Sequence, residues 1–317
     1  MRILITGGAG FIGSHVAEAC LAQGHDVVVV DDLSTGSLTH VPPGARFYPV
    51  DVRGPQIDEV FALERPEIVS HHAAQVSVRR SMEEPIHDAD VNVLGSLRLL
   101  EAARLHGTRR VVFASTGGAI YGEVETGAAD EHHRCRPRSP YAVAKLAVEH
   151  YLASYCGAFG LEAVVLRYAN VYGPRQDPHG EAGVIAIFIQ RILAGLPPTI
   201  YGDGEQVRDF VYVGDVVRAN LQAITVTTPP GEPLTLNIAT GLGTTVNALW
   251  QALREIASPS VAAQQQPARA GDLLRSVLDP ARAERRLGWR PEVDLQEGLR
   301  QTWAWFSAGL ARERAVA

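Results

Sequence analysis

The chain has 317 residues, of which 46% are hydrophobic and 20% charged, with a formal net charge of -6. That balance suits a globular protein with one large core or two units of ~150 residues, and it offers no broad basic surface for nucleic acid. Cys20, Cys135 and Cys156 form neither an even set nor a CxxC pair, and no apolar stretch reaches ~18 residues. A reducing, cytoplasmic setting without membrane or nucleic-acid partners is therefore expected, with the thiols buried or half-buried. The opening MRILITGG passes straight into glycines and is too short for the core of a signal peptide.

The first half alternates short β-branched apolar runs with helical patterns, as a parallel sheet covered on both faces requires. Strands are expected over 2–6, 26–30, 46–50, 68–72, 110–115 and 162–167, with helices in the gaps. The longest helical pattern covers 88–106, where Val91, Leu94, Leu97, Leu100 and Leu105 recur at roughly helical spacing. Another helix opens at Ser139 and Pro140, a capping residue followed by a residue suited to the first turn. After Tyr168 the segment NVYGPRQDPHGEAG is too rich in Gly and Pro for regular structure. Beyond it a helix is expected over 184–194, a strand over 234–238 that returns to the sheet, and helices over 246–256, 280–287 and 295–310. The run Gln264, Gln265, Gln266 reads as surface.

Directly after the first strand comes TGGAGFIGSH, with Gly7, Gly10 and Gly13 where the chain turns into a helix. Glycines there permit a tight turn, close approach of a pyrophosphate to the helix N-terminus, and close helix packing. Asp31 ends the next apolar run, where a carboxylate accepts hydrogen bonds from ribose hydroxyls and repels a 2′-phosphate, so NAD is favoured over NADP. The fold class expected is α/β: a Rossmann-type doubly wound parallel sheet in residues 1–169, to which residues near 212–245 return. A smaller C-terminal α/β substrate-binding region is expected over 170–317.

The segment SPYAVAK places Tyr141 and Lys145 one helical turn apart. A phenol with a pKa of about 10 is a poor base at neutral pH, and a neighbouring cation is expected to lower that value. The same spacing arises on amphipathic helices with Tyr half-buried and Lys solvated; the glycine loop adds weight to the reactive reading. His71 and His72 at a strand end read as packed and hydrogen-bonded. His132, His133 and Cys135 lie in an Arg- and Pro-rich loop without a fourth ligand, so no metal is expected.

The loop TGGAGFIG, a hydroxyl-bearing strand end and YxxxK together resemble the extended short-chain dehydrogenase/reductase family of NAD-dependent epimerases and dehydratases. More narrowly, STGGAIYGE, SPYAVAK, LRYANVYGPRQDPHGEAG and YGDGEQVRDFVYVGDV resemble its UDP-glucose (UDP-galactose) 4-epimerase members, in order along nearly the whole chain. The resemblance implies that Gly7, Gly10, Phe11, Ile12 and Gly13 lie at the pyrophosphate and that Asp31, Asp32, Leu33, Ser34, Thr35 and Gly36 hold the adenosine ribose. It places Asp51 and Val52 beside the adenine, and His72, Ala73, Ala74, Gln75, Val76 and Asn92 along the nicotinamide half, with Tyr168 also on the cofactor. Thr116, or Ser115 beside it, would bind the sugar's carbon-4 oxygen. Tyr141 would be the base, and Lys145 would hold the nicotinamide ribose and depress the phenol pKa. UDP would be gripped by Asn170, Thr199, Ile200, Tyr201, Arg208, Arg269 and Asp272, with Ser276 at the sugar. The helices over 88–106 and 140–156 would pair across a homodimer.

Relatives that dehydrate nucleotide sugars carry an Asp-Glu pair just after the strand-end Thr, where this chain has Gly117 and Gly118. Asp177 stands where some glucuronate epimerases have Arg. Ser276 falls where some hexose-only epimerases have a bulky Tyr, so UDP-GlcNAc and UDP-GalNAc are alternative substrates. Val76 replaces a Lys, and Ala182 with Gly183 replaces a substrate-contacting Asn-Leu pair. The rival readings are another nucleotide-sugar dehydratase or reductase, and a non-catalytic NAD-binding sensor, which would typically lack Tyr141 and Lys145.

Overall fold

The computed structural model describes residues 1–178, 183–269 and 271–316; Ala182 lies outside them. The chain runs β1 (Arg2–Thr6), α1 (Phe11–Ala22), β2 (Asp26–Val30), β3 (Arg46–Tyr48), α2 (Gln56–Glu64) and β4 (Ile68–His71). Two short helices follow, α3 (Val78–Glu83) and α4 (Pro85–Ala89), then a π-helical turn (Asp90–Leu94) and α5 (Gly95–Leu105). Next come β5 (Arg110–Thr116), α6 (Gly117–Ile120), α7 (Pro140–Phe159) and β6 (Glu162–Tyr168). The remainder is β7 (Asn170–Tyr172), α8 (Val184–Leu193), β8 (Thr199–Tyr201), β9 (Val207–Tyr212), α9 (Val213–Thr225), β10 (Leu234–Ile238) and β11 (Gly243–Thr245). It closes with α10 (Val246–Ala257), β12 (Gln264–Gln266), β13 (Arg275–Ser276), α11 (Ala281–Leu287) and α12 (Leu295–Val316).

The main sheet has seven parallel strands in the order β10-β6-β5-β4-β1-β2-β3. Its strands read ILI, VVVV, IVS, VVF and VVL because both faces are covered: Leu4, Val28, Val69 and Phe113 pack toward α2, α5 and α7. Ile3, Ile5, Val27 and Val29 pack toward α1 and α9 on the opposite face. The order reverses between β1 and β4, and in doubly wound sheets a ligand crevice opens beyond the strand ends at that reversal.

A second sheet, β11-β9-β13 with β7 also on β9, sits over its own core of Tyr172, Phe188, Phe210, Trp250 and Leu299. It docks on the first unit through α1: the His15 ring bonds the Pro174 carbonyl at 3.0 Å, and Arg175 meets Glu18 at 2.8 Å.

Two expectations need correcting. The continuous helix over 88–106 is two α-helices joined by the π turn, because apolar spacing does not register one extra residue in a turn. The strand expected over 46–50 stops at Tyr48. Gln264, Gln265 and Gln266 are at the surface as expected, where they form β12, parallel to β8 in register with Thr199, Ile200 and Tyr201. All three side chains are exposed, so the backbone ladder alone holds the strand.

Candidate active site

The glycine loop is shaped by close backbone contacts. Gly7 has φ +65°, and a Cβ there would stand 2.6 Å from the Ala73 nitrogen; a Cβ on Gly13 would stand 2.2 Å from the Gly7 carbonyl oxygen. The loop thus seats β1 against the chain leaving β4, at the strand reversal. Gly10 opens α1 with no side-chain cap and no acidic residue in the first turn, leaving that helix start suited to an anion. Phe11 and Ile12 lie in this first turn.

Asp31 is buried, and its carboxylate accepts the backbone N–H of Ala9 at 2.9 Å and of Leu33 at 2.8 Å. Burial pushes its pKa up, opposed by those two bonds. Leu33 sits in the left-handed region at φ 59°, and Asp32 binds the backbone and hydroxyl of Ser34 at 2.9 and 2.6 Å. Gly36 passes so close that a Cβ would lie 2.9 Å from Asp31 Oδ1, while Ser37 donates to the Ala9 carbonyl. The segment from Asp31 through Thr35 and Gly36 is therefore folded onto the glycine loop. Asp51 pairs with Arg53 at 2.6 Å, and Val52 packs under Gly95.

Beyond β4, Ala73 donates its N–H to Thr6 Oγ1, and Gln75 exchanges both backbone bonds with the Asn92 amide at 2.9 and 3.0 Å. Ala74 lies between them. His71 is saturated, with Nδ1 on Thr6 Oγ1 at 2.7 Å and Nε2 on Ser96 Oγ at 2.9 Å, as a packed histidine should be. His72 bonds Ser70 Oγ at 2.9 Å and leaves Nδ1 buried without a partner. The uncapped helix start and the Asp31 carboxylate, tied to the glycine loop through the Ala9 N–H, have the chemistry to fit the pyrophosphate and ribose of a dinucleotide.

At the end of β5, the Thr116 hydroxyl lies beside the Tyr141 phenol and favours its ionised form. Ser139 caps α7 by accepting the Ala142 N–H at 3.2 Å, which fixes the first turn that carries Tyr141. Ser115 points the other way: its hydroxyl donates to Glu149 Oε1 at 2.5 Å, on α7. Glu149 also pairs with Arg167 at 2.5 Å, and Arg167 reaches the Tyr121 hydroxyl at 2.8 Å. The strand end therefore brings Thr116 to Tyr141 and spends Ser115 on a buried ionic network. Thr116→Val is expected to lower kcat by about 10- to 100-fold, the loss of one charge-assisted hydrogen bond. Ser115→Ala should keep kcat within a few-fold and lower the urea midpoint instead; steady-state kinetics and denaturation on both variants check this, and the reverse pattern assigns the chemistry to Ser115.

Lys145 donates from Nζ to the Ala114 carbonyl at 3.0 Å and lies 4.9 Å from the Phe113 ring centroid. Burial lowers its pKa to about 8, opposed first by Asp88 and then by Glu149. The expected depression of the phenol does not occur among these side chains. Burial pushes Tyr141 up to about 12, countered by the Thr116 hydroxyl and reinforced by Asp88. Desolvating a phenolate outweighs an ammonium already engaged by a carbonyl.

One compositional signal escaped the sequence reading: of 29 Lys and Arg residues, Lys145 is the single lysine. Every other cation is a guanidinium, which stays charged, whereas an ammonium shifts its pKa readily when buried.

On the other wall, a Cβ at Gly117 would collide with Leu278 at 2.3 Å, so a larger residue does not fit without moving that leucine. Gly118 faces the Asn170 side chain, and its carbonyl lies 3.5 Å from Ser276 Oγ. Ser276 is in register with Arg208 across β13 and β9. Arg208 is held by the Val207 carbonyl, with Asp272 among the charges around it. Arg269 stacks on the Tyr201 ring at 3.8 Å. Thr199, Ile200 and Tyr201 line up on β8, with the Ile200 side chain buried in the core. The Tyr168 ring packs in the core and its hydroxyl bonds Asn220. His132, His133 and Cys135 gather no metal-binding group among the described residues.

A doubly wound sheet with a glycine-rich turn, an acidic ribose site and a Tyr-Lys pair at a strand end defines a dinucleotide-dependent enzyme acting on a hydroxyl-bearing substrate. The family model of the NAD dependent epimerase/dehydratase family matches residues 3–239, and the chain belongs to that family. A UDP-glucose 4-epimerase of Mycolicibacterium smegmatis is 43% identical over 311 residues, covering 96% of this chain and 98% of that protein. The structure of UDP-glucose 4-epimerase from Thermotoga maritima with UDP-glucose superposes with a TM-score of 0.95 at 48% identity, covering 98% of this chain and 100% of the other. That of the Thermus thermophilus UDP-glucose 4-epimerase complex with NAD gives 0.92 at 51% identity, covering 97% and 99%.

Proposed function

We propose that the chain interconverts UDP-glucose and UDP-galactose, inverting carbon 4 of the hexose. The observation that carries this reading is Thr116 beside Tyr141, one helical turn from Lys145, at a strand end where Gly117 and Gly118 supply no carboxylate. Tyr141 accepts the proton of the carbon-4 hydroxyl while Thr116 holds that oxygen, and Tyr141 returns the proton when the alcohol re-forms. When bound, NAD supplies the reversible two-electron exchange at carbon 4, so the alcohol passes through a 4-ketone and back. Elimination of water needs an acid and a base, and Leu278 fills the space beside Gly117 where one would stand.

Gly7, Gly10, Phe11, Ile12, Gly13, the Asp31–Gly36 turn, Asp51, Val52, residues 72–75, Asn92, Tyr141 and Lys145 would hold NAD, within residues 1–169 and a return over 212–245. Inversion needs a firm hold on UDP and a loose hold on the hexose. Asn170, Thr199, Ile200, Tyr201, Arg208, Arg269 and Asp272, from residues 170–317, would grip the nucleotide; arginine forks suit a diphosphate.

The small side chain of Ser276 beside Gly118 supports a second reading, in which a 2-acetamido sugar also enters. Parallel assays with UDP-galactose, UDP-GalNAc and UDP-glucuronate decide between them. Turnover of UDP-galactose alone supports the first reading, faster turnover of UDP-GalNAc supports the second, and preference for UDP-glucuronate contradicts both.

A homodimer and a cytoplasmic location complete the proposal. Val78, Met82, Ile86 and Leu94, on α3, α4 and the π turn, and Val143 and Tyr151 on α7 are exposed, Ile86 at 86%. The α3, α4 and π-turn segments pack against α7, and exposed apolar side chains on them suit a second copy. Ile86→Glu is expected to convert a dimer to a monomer in sedimentation velocity; a monomeric wild type would contradict the interface. Cys20, Cys135 and Cys156 are free thiols, as a reducing compartment allows, and no helix among the described residues is long and apolar enough to cross a membrane.

A further inference from the structure

Asp88, on α4, is 1% exposed and makes no ion pair among the described residues. Its Oδ1 accepts from Gln75 Nε2 at 2.8 Å and from Asn92 Nδ2 at 2.9 Å, while Oδ2 is buried without a hydrogen-bond partner. A carboxylate shut away from water with one oxygen unsatisfied is costly and calls for a compensating charge.

Its surroundings prevent it from swinging out to find one. Gln75 is clamped between Asn92, the Ser77 carbonyl at 2.9 Å and the Ser77 N–H at 2.6 Å. Asn92 lies in the π turn, and its carbonyl accepts from Ser96 Oγ at 2.6 Å. Ser96 in turn meets His71, and His71 meets Thr6. The carboxylate is thus fixed at the end of a buried chain of hydrogen bonds anchored on β1 and β4.

The helix α4 packs on α7, whose only Lys or Arg is the buried Lys145, and this ammonium is the cation that acts on Asp88. Among the charges that favour the ammonium, Asp88 acts more strongly than Glu149. Glu149 is already paired with Arg167 and bonded to Ser115, whereas Asp88 is committed to neutral amides. The other groups around Lys145 are His71 and His72, which burial and Lys145 itself push down to about 3, and Tyr141, which is neutral at physiological pH. His87 adds a weak influence on Asp88 from the same helix.

We propose that Asp88, through the frame that locks its carboxylate, is the fixed counter-charge of Lys145 and a positioning residue for the Tyr141–Lys145 pair. It deepens the reading of that pair as reactive, yet the lysine itself can be observed without any turnover. Because Lys145 is the only lysine, protein grown on lysine labelled with carbon-13 at the ε position gives one lysine signal, whose pH titration reports this ammonium directly.

In the purified holoenzyme, Asp88→Asn is expected to lower the titration midpoint by about one pH unit or more, and Asp88→Glu to keep it near wild type. The high-pH limb of kcat should move to lower pH in step, since the ammonium exists only below its pKa. Asp88→Ser replaces Asp88→Asn if the latter fails to fold. A folded, neutral variant with an unmoved midpoint overturns the proposal, even if it is less stable or less active. A moved midpoint in an enzyme that turns over no UDP-sugar upholds the counter-charge and contradicts only the assigned activity.

Discussion

Tyr141→Phe lowers kcat by about 10²- to 10⁴-fold, the range expected for removal of a general acid–base group. UDP binding, measured by calorimetry, stays nearly unchanged, because the nucleotide contacts assigned to Arg208, Arg269 and Asp272 lie on the other wall. Burial pushes the Tyr141 phenol up to about 12, and the Thr116 hydroxyl opposes that shift. In this site the phenol keeps its proton at neutral pH until further positive charge arrives. The oxidised cofactor carries such charge, so proton removal and hydride acceptance become linked. Full activity in the phenylalanine variant would refute Tyr141 as the base.

Arg167→Met destabilises the fold by about 3–5 kcal/mol, the cost of leaving one partner of a buried ion pair alone. Both side chains are nearly inaccessible, at 8% for Arg167 and 7% for Glu149. Removing the guanidinium would leave the Glu149 carboxylate with the Ser115 hydroxyl as its one hydrogen-bond donor among the described residues. Arg167→Met combined with Glu149→Leu should recover much of the loss, since apolar packing replaces two desolvated charges. Urea denaturation of the single and double variants checks this. A single variant with the wild-type midpoint would show that the pair does not brace the strand end.

Much of this could be read from residue pattern because the physics is local. The runs VVVV at 27–30 and VVF at 111–113 announce buried parallel strands, and the glycines after β1 answer to backbone contacts that a Cβ would block. What escaped depends on distant partners. Whether Ser115 or Thr116 faces the phenol follows from the strand's alternation and from Glu149, 34 residues away, which no spacing rule supplies. The Tyr168 hydroxyl likewise meets Asn220, brought up by α9, a partner that no neighbouring residue announces. The π turn hid within apolar residues that still recur near helical spacing. Asp88 was invisible because an aspartate on a polar helix face reads as solvated until its burial is seen.

The most direct test of the whole account is incubation of the purified protein with UDP-galactose and no added cofactor, followed by chromatographic separation of the nucleotide sugars. Formation of UDP-glucose to a constant ratio, without accumulation of free NADH, is the predicted result. A stable keto sugar, or no conversion by a protein shown to carry NAD, would contradict it.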